Sequence, residues 1–195
     1  KMDYKSFFSA VGIIIGLLSS FPYIRDIFLL KTKPHIYTWL IWSITTGTAA
    51  IAAYYGNGGW GLFNLVIMTA VNLTILLMSI KYGTKNITLW DTIILAGALI
   101  AILIWWQLHQ PLISILMLTA IDVLGYMPSF RKSWQEPWSE TLISWFGFIT
   151  ADLFAILALK EYNLLTATYL IAITLANLVL YLICFARRPF IKKPI

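Results

Sequence analysis

Two aspartates lie deep inside long apolar segments of this 195-residue sequence. Asp122 and Asp152 each follow about ten residues of an apolar segment, which at about 1.5 Å per residue places them roughly 15 Å into a bilayer. An ionised side chain at the bilayer centre costs at least about 2.5 kcal/mol, so such groups normally face a bundle interior or a wet cavity. Both are candidate substrate-binding residues that would hold a proton, an ion or a cationic group. The alternative for each is a neutral, hydrogen-bonded structural acid.

Three further polar residues, Asn72, Asn177 and Thr46, fall at a similar depth in other apolar segments. Polar side chains that several helices contribute at one level are typical of a central solute site. We therefore predict that these three residues bind the solute together with the aspartates. For the two asparagines, the alternative is an interhelical hydrogen bond that holds the bundle together.

Tryptophans share a helical stripe with two of these polar residues. Trp39 precedes Thr46 by seven residues, and Trp145 precedes Asp152 by the same number. Two helical turns return a residue to nearly the same face, so each tryptophan is predicted to contact the solute. The alternative is interfacial anchoring, the usual role of tryptophan near a membrane surface. The aromatic residues one turn beyond them are predicted to gate the site: Trp42 and Phe148.

The candidate residues belong to an internal duplication. The stretch at 21–42 returns in related form at 127–148, and a shift of 106 carries Pro22 onto Pro128. A repeat specifies much of an architecture at once, and in membrane transporters repeats usually flank the substrate path. The other matched pairs are Trp39 with Trp145, Thr46 with Asp152 and, at a shift of 105, Asn72 with Asn177.

Pro22 and Pro128 stand near the end of the first apolar segment of each copy. Proline removes a backbone donor and clashes with the carbonyl group one turn back, so each proline should weaken or kink its helix. We predict that the pair acts as a hinge. The alternative is a static bend, since membrane helices tolerate proline.

Composition places the chain in a lipid bilayer. Hydrophobic residues make up 60% of the sequence and charged residues 11%, and the mean hydropathy is +0.82, which leaves too little polar surface for a soluble domain. Seven apolar segments are predicted to be transmembrane α-helices, because open strands cannot satisfy their backbone groups in lipid. Their predicted ranges are 7–30, 37–55, 60–80, 89–106, 112–130, 141–159 and 164–185.

The basic residues predict the orientation of these helices. Seven crossings put most of the 14 Lys and Arg residues on one side and leave only Lys1, Lys5 and Lys160 on the other. By the positive-inside rule the amino terminus is outside and the carboxyl terminus is cytoplasmic, and the plasma (inner) membrane is the predicted location. The net charge of +6 is explained by this bias and by contact with anionic lipid headgroups. No nucleic-acid partner is expected, and a homo-oligomer is compatible with the sequence.

The duplication predicts a 3+1+3 arrangement of the seven helices. Two three-helix bundles occupy 1–86 and 109–195, and a linker helix at 87–108 joins them. An odd connecting helix leaves both bundles entering the membrane in the same direction, so the bundles are parallel repeats.

This arrangement, with a proline near the cytoplasmic end of each first helix, resembles the SWEET and PQ-loop superfamily of small-solute transporters. The Pro-Gln pair of that family is Pro22-Tyr23 in the first copy here and Pro128-Ser129 in the second. The resemblance covers nearly the whole chain. It implies a carrier for a sugar, an amino acid or a vitamin, with aromatic residues and paired asparagines around the substrate and prolines that let the helix ends swing.

The predicted function is a carrier for a small polar solute, as a facilitator or coupled to protons, with alternating access between the bundles. The alternative is a non-transporting receptor or accessory protein, because a relative on the same fold, the KDEL receptor, binds a peptide signal. An intramembrane enzyme that uses the two aspartates is the third candidate. No Walker, dinucleotide or zinc-ligand motif occurs, so neither an enzyme nor a cofactor is predicted. His35 and His109 fall in opposite loops, and no metal site is expected.

Overall fold

The computed structural model of the protein describes residues 4–55, 60–107, 111–159, 162 and 164–193. Within these ranges the chain forms seven α-helices, two short 3₁₀-helices and no strand, so the predicted all-α class is confirmed for them. The α-helices are α1 (Tyr4–Phe28), α2 (Ile36–Tyr55), α3 (Trp60–Tyr82), α4 (Leu89–Trp106), α5 (Pro111–Gln135), α6 (Leu142–Leu157) and α7 (Leu164–Arg187). The 3₁₀-helices are Pro137–Ser139 and Arg188–Phe190.

Each predicted apolar segment corresponds to one of these helices, and the segment at 89–106 has the same bounds as α4. The largest difference lies at the end of α5, which continues beyond the predicted limit at Phe130 to Gln135. The apolar pattern stops there, but Arg131 and Lys132 extend the helix because both find polar partners in neighbouring elements. Hydropathy therefore located the apolar part of α5 and missed its polar end.

The outer surface of the bundle is apolar and its interior is rich in polar groups. Leu18, Leu77 and Leu103 are exposed, whereas Asp122 and Asn177 are buried. A soluble domain shows the opposite distribution. Three helices of the described chain are long and apolar enough to cross a membrane, and two shorter helices are also apolar. The fold is compatible with a membrane protein.

The helices alternate in direction, so one end of the bundle collects the carboxyl ends of α1, α3, α5 and α7 and the amino ends of α2, α4 and α6. The backbone N–H of Thr84 donates to the carbonyl oxygen of Pro34 at 3.0 Å, and Arg131 lies 2.6 Å from Asp91. We call this the basic end. Its basic residues are Arg25, Lys31, Lys33, Lys81, Lys85, Arg131, Lys132, Arg187, Arg188, Lys192 and Lys193.

Small residues bring α1 and α6 close together. A Cβ atom added at Gly147 would overlap the side chain of Ser19, and one added at Gly12 would lie 3.2 Å from the carbonyl oxygen of Ala151. Glycine is required at position 147 because the backbone of α6 comes too near α1 to leave room for a methyl group. Close approach through small residues is the usual packing of helices in membranes.

The contact between α2 and α5 repeats the contact between α1 and α6. A shift of 106 carries Ser19 onto Gly125 and Ile41 onto Gly147, and a Cβ atom added at Gly125 would lie 3.0 Å from Cγ2 of Ile41. The same two positions of the repeat therefore touch at both interfaces. The glycine belongs to α6 at the interface with α1 and to α5 at the interface with α2. The other described neighbours follow this scheme, since α3 packs on α1 and α2, α7 packs on α5 and α6, and α4 packs on α5 and α2.

Replacing Gly147 with alanine should lower the unfolding free energy by about 1–3 kcal/mol, because the added methyl group overpacks the contact with Ser19. The midpoint of thermal unfolding in detergent measures the effect. Gly97→Ala is the matched control, since nothing lies within 4 Å of a Cβ atom there and alanine is the better helix former. Equal midpoints for both variants would contradict the close contact of α1 with α6.

Candidate functional site

A cavity of about 160 Å³ lies at the centre of the bundle, between α1, α2, α3, α5, α6 and α7. No described residue of α4 lines it. All the residues predicted to bind a solute line this cavity: Asn72, Asn177, Asp152, Thr46, Asp122, Trp39 and Trp145. Trp42 and Phe148, the predicted gate residues, also line it, whereas Pro22 and Pro128 do not. The structure thus brings together residues that the sequence spreads over five helices.

Matched polar pairs from the two repeats face the cavity. In the first repeat, Nδ2 of Asn72 donates to Oγ1 of Thr46 at 3.1 Å. In the second, Nδ2 of Asn177 donates to Oδ2 of Asp152 at 2.7 Å. Both bonds join the positions that the duplication matches. The asparagines therefore make the interhelical hydrogen bonds that were the alternative to solute binding, and they also line the cavity.

Asp122 is held in place by hydroxyl groups. Its side chain is buried and accepts a hydrogen bond from Oγ1 of Thr45 at 2.6 Å, and the hydroxyl group of Tyr169 makes a second bond. At the interface of α1 with α6, the matched contact lies between Gly16 and Ala151. The interface of α2 with α5 therefore has a carboxylate and a hydroxyl group at the positions where the interface of α1 with α6 has only small apolar residues.

Two tyrosines belong to the site although the sequence patterns did not single them out. Tyr126 donates its hydroxyl group to Oδ1 of Asn177 at 2.7 Å, and Tyr169 contacts Asp122. Tyr126 follows Asp122 by about one helical turn, so its place on the same face was a usable signal. Tyr169 matches Asn64 at a shift of 105, and polar residues at that position of both repeats were a second signal.

Aromatic rings form the wall of the cavity nearest the basic end. The ring of Trp42 lies 5.1 Å from that of Trp39, 6.1 Å from that of Trp145 and 4.4 Å from that of Tyr126, measured between centroids. Phe148 lies 5.6 Å from Trp145. Trp39 and Trp145 are 3% and 2% exposed, so interfacial anchoring, the alternative for these two residues, is wrong because neither ring reaches the surface.

A buried salt bridge at the basic end lies next to this aromatic wall. Lys132 pairs with Glu140, and its Nζ also donates to the carbonyl oxygen of Lys33 at 2.7 Å. The second carboxylate oxygen of Glu140 accepts a hydrogen bond from Nε1 of Trp145 at 2.8 Å. Both charged groups have lost their contact with solvent, so each depends on the other for stabilisation. Glu140 thereby connects the cavity wall to α5 and to the segment between α1 and α2.

A second ion pair at the basic end fastens α4 to α5. Arg131 donates to both carboxylate oxygens of Asp91, at 3.0 and 2.6 Å. His35 lies against the same carboxylate, with Nε2 3.5 Å from Oδ2. Burial lowers the pKa of His35 to about 4, although Asp91 acts in the opposite direction. The imidazole is therefore neutral at physiological pH.

Pro22 and Pro128 lie inside continuous helices at matched positions of α1 and α5. The residue after each proline contacts α2. The ring of Tyr23 lies 5.4 Å from that of Trp39, and Ser129 makes a hydrogen bond of 2.9 Å to α2. A change of helix direction at either proline would therefore alter a contact with α2.

Among the described residues, no group of three or more His, Cys, Asp and Glu side chains could hold a metal ion. His109 lies outside the described ranges. Cys184 is a free cysteine and is buried in α7. The functional groups of the described site are therefore carboxylates, amides, hydroxyl groups and aromatic rings.

In comparisons with known proteins, no protein-family model, curated protein or solved structure matches the chain. The resemblance to the SWEET and PQ-loop superfamily rests on the sequence pattern alone, and the functional conclusion depends on the cavity.

Glu140→Gln should lower the unfolding free energy by about 3 kcal/mol or more, because it leaves the buried ammonium group of Lys132 without a counter-charge. Denaturant unfolding of the purified protein measures the loss. The double variant Lys132→Met with Glu140→Met should recover most of it, since no unpaired charge remains.

Glu136→Gln is the matched control for this experiment. Glu136 also lies at the basic end, where its side chain accepts a hydrogen bond from Asn86 that a glutamine can also accept. We expect its stability to stay within about 0.5 kcal/mol of the parental value. Similar losses in Glu136→Gln and Glu140→Gln would contradict a special role for the buried pair.

Proposed function

We propose that the protein is a transmembrane carrier that moves a small polar solute by alternating access between two three-helix bundles. The observation that carries the proposal is the central cavity, to which both repeats contribute matched pairs: Asn72 with Thr46 and Asn177 with Asp152. Transporters built from repeats bind their solutes between the repeats. Apolar walls with a few converging polar groups are also typical of small-molecule sites.

In this proposal all seven α-helices cross the plasma (inner) membrane. The bundles are 1–86 and 109–195, and the helix at 87–108 links them. The basic end faces the cytoplasm, and the amino terminus lies outside. The collection of basic residues at one end supports this orientation, because positive charge is retained on the cytoplasmic side. The position of α4 away from the cavity supports its role as a linker.

The contacts near the basic end would form the cytoplasmic gate. The aromatic wall with Trp42 and Phe148 lies on the side of the cavity nearest that end, and the buried pair of Lys132 with Glu140 lies next to the wall. Opening to the cytoplasm requires these contacts to separate. Pro22 and Pro128 lie in the helices beside them, where a missing backbone hydrogen bond makes bending easier.

The sugars, amino acids and vitamins carried by the SWEET and PQ-loop superfamily define the range of solutes to test. Asparagine amides beside aromatic rings suit a sugar, since the amides bind hydroxyl groups and the rings stack on its apolar face. Asp122 and Asp152 suit a proton or a cationic group. The carrier is therefore either a facilitator or coupled to protons through one of the aspartates.

Flux into proteoliposomes tests the proposal. The purified protein should raise the uptake of at least one solute from a panel of sugars, amino acids and vitamins above that of empty liposomes. Asn72→Ala with Asn177→Ala should reduce the initial rate by roughly tenfold, about 1.4 kcal/mol, because two amides are lost from the cavity. Thr74→Ala is the matched control, since Thr74 is an exposed polar residue of α3. Saturable binding without flux of any solute would indicate a receptor instead.

Replacing both hinge prolines with alanine should slow transport by roughly tenfold and leave the affinity for the solute unchanged, because the change raises the barrier to opening, by about 1.4 kcal/mol, and not the cost of binding. Initial rates in proteoliposomes and equilibrium binding in detergent separate the two effects. Pro111→Ala is the control, since proline at the start of α5 removes no helical hydrogen bond. Transport at the parental rate in Pro22→Ala with Pro128→Ala would remove the hinge role.

A further inference from the structure

Two carboxylates line the central cavity, and no described basic residue lines it with them. Asp122 is 3% exposed and has the hydroxyl groups of Thr45 and Tyr169 as hydrogen-bond partners. Asp152 accepts a hydrogen bond from the amide of Asn177 at 2.7 Å. These neutral donors orient the carboxylates but bring no positive charge to them. The cavity is therefore acidic.

The other buried acids of the described chain are paired with cations. Asp91 lies 2.6 Å from Arg131, and Glu140 pairs with Lys132. A carboxylate ion without a cationic partner is costly inside a protein. The acids of the cavity therefore differ in free energy from the acids that are paired with Arg131 and Lys132. Asp91 and Glu140 thus have cationic partners, whereas the described partners of Asp122 and Asp152 are all neutral. Such an arrangement suits a ligand that brings the positive charge with it.

Aromatic rings surround the same space. The centroid of Trp42 lies 5.1 Å from that of Trp39 and 4.4 Å from that of Tyr126, and Trp145 and Phe148 complete the wall. The faces of such rings attract an organic ammonium group, most strongly where water is excluded. An inorganic divalent ion instead needs several oxygen ligands. No group of three or more metal-binding side chains occurs in the described part of the chain.

We propose that the central cavity binds a small organic cation, an amine or a quaternary ammonium compound. Its charge pairs with Asp122 and Asp152, and its alkyl groups pack against the aromatic wall. This inference rests on the proposed carrier function and names the substrate class of the same site. The cavity of about 160 Å³ is smaller than the pockets that hold drug-sized molecules, so the cation has few heavy atoms.

Matched charged and uncharged probes test this inference on the unmodified chain. Choline is compared with 3,3-dimethylbutan-1-ol, in which carbon replaces the nitrogen, and ethanolamine is compared with propan-1-ol. Isothermal titration calorimetry of the protein in detergent measures each affinity. We expect at least one cation to bind roughly tenfold more tightly than its neutral partner. Equal affinities within both pairs, or no binding of either cation, would overturn the inference.

Variants identify the groups that bind the charge. Asp122→Asn and Asp152→Asn should each weaken binding of the cation by roughly tenfold and leave binding of its neutral partner unchanged. Glu136→Gln, outside the cavity, should bind as the parental protein does. Trp42→Leu should also weaken binding, whereas Trp134→Leu, which removes a ring that is 56% exposed, should not. Unchanged cation affinity in both asparagine variants would mean that the carboxylates serve protons or structure only. The comparison of probe pairs needs no variant, so it stands if a substitution prevents folding.

Flux measurements separate failure of this inference from failure of the carrier proposal. Binding of a cation without its flux into proteoliposomes would support the substrate class and contradict the carrier function. Flux of a neutral solute without binding of a cation would support the carrier and contradict the substrate class. Flux of a cation into proteoliposomes would support both proposals if Asp122→Asn and Asp152→Asn each reduce that flux. Glu136→Gln should leave the flux unchanged.

Discussion

Polar groups that leave water must be satisfied by one another, and this requirement governs the interior of the bundle. Asn177 meets its needs with Asp152 and Tyr126, and Lys132 meets its needs with Glu140. Each of these contacts joins two different segments, so it also specifies how the segments sit against each other. In an apolar surrounding no water competes for these groups, and a partner that is missing cannot be replaced. The polar contacts therefore determine the shape of the cavity as well as its chemistry.

The two repeats share their contacts but differ in charge. The amide pairs occupy matched positions in both, and the small-residue contacts at α1 with α6 and at α2 with α5 are also matched. The described carboxylates that line the cavity both come from the second repeat, where Asp122 and Asp152 stand at the positions of Gly16 and Thr46. A symmetric frame suits a gate that opens at two ends, whereas an asymmetric charge suits a task performed once, such as holding one cation.

Much of the fold could be predicted from hydropathy because a helix in lipid must be apolar over a known length. The duplication then matched residues of the two repeats and indicated that they share a site. Two features escaped these patterns. The polar end of α5 was missed because Arg131 and Lys132 are stabilised by partners distant in sequence. Tyr126 and Tyr169 were not singled out as cavity residues, because depth along a helix does not specify which way a side chain faces.

By itself the sequence determined the number of apolar helices in the described chain, their approximate limits and the matched pairs of polar residues, since these depend on local composition and on the repeat. Only the tertiary structure decided that those residues line one cavity, that no described cation joins Asp122 and Asp152 there, and that Glu140 ties the cavity wall to the basic end. Such relations depend on how closely two helices approach. That distance is decided by contacts such as Gly147 against Ser19, between residues far apart in the chain, which no local periodicity records.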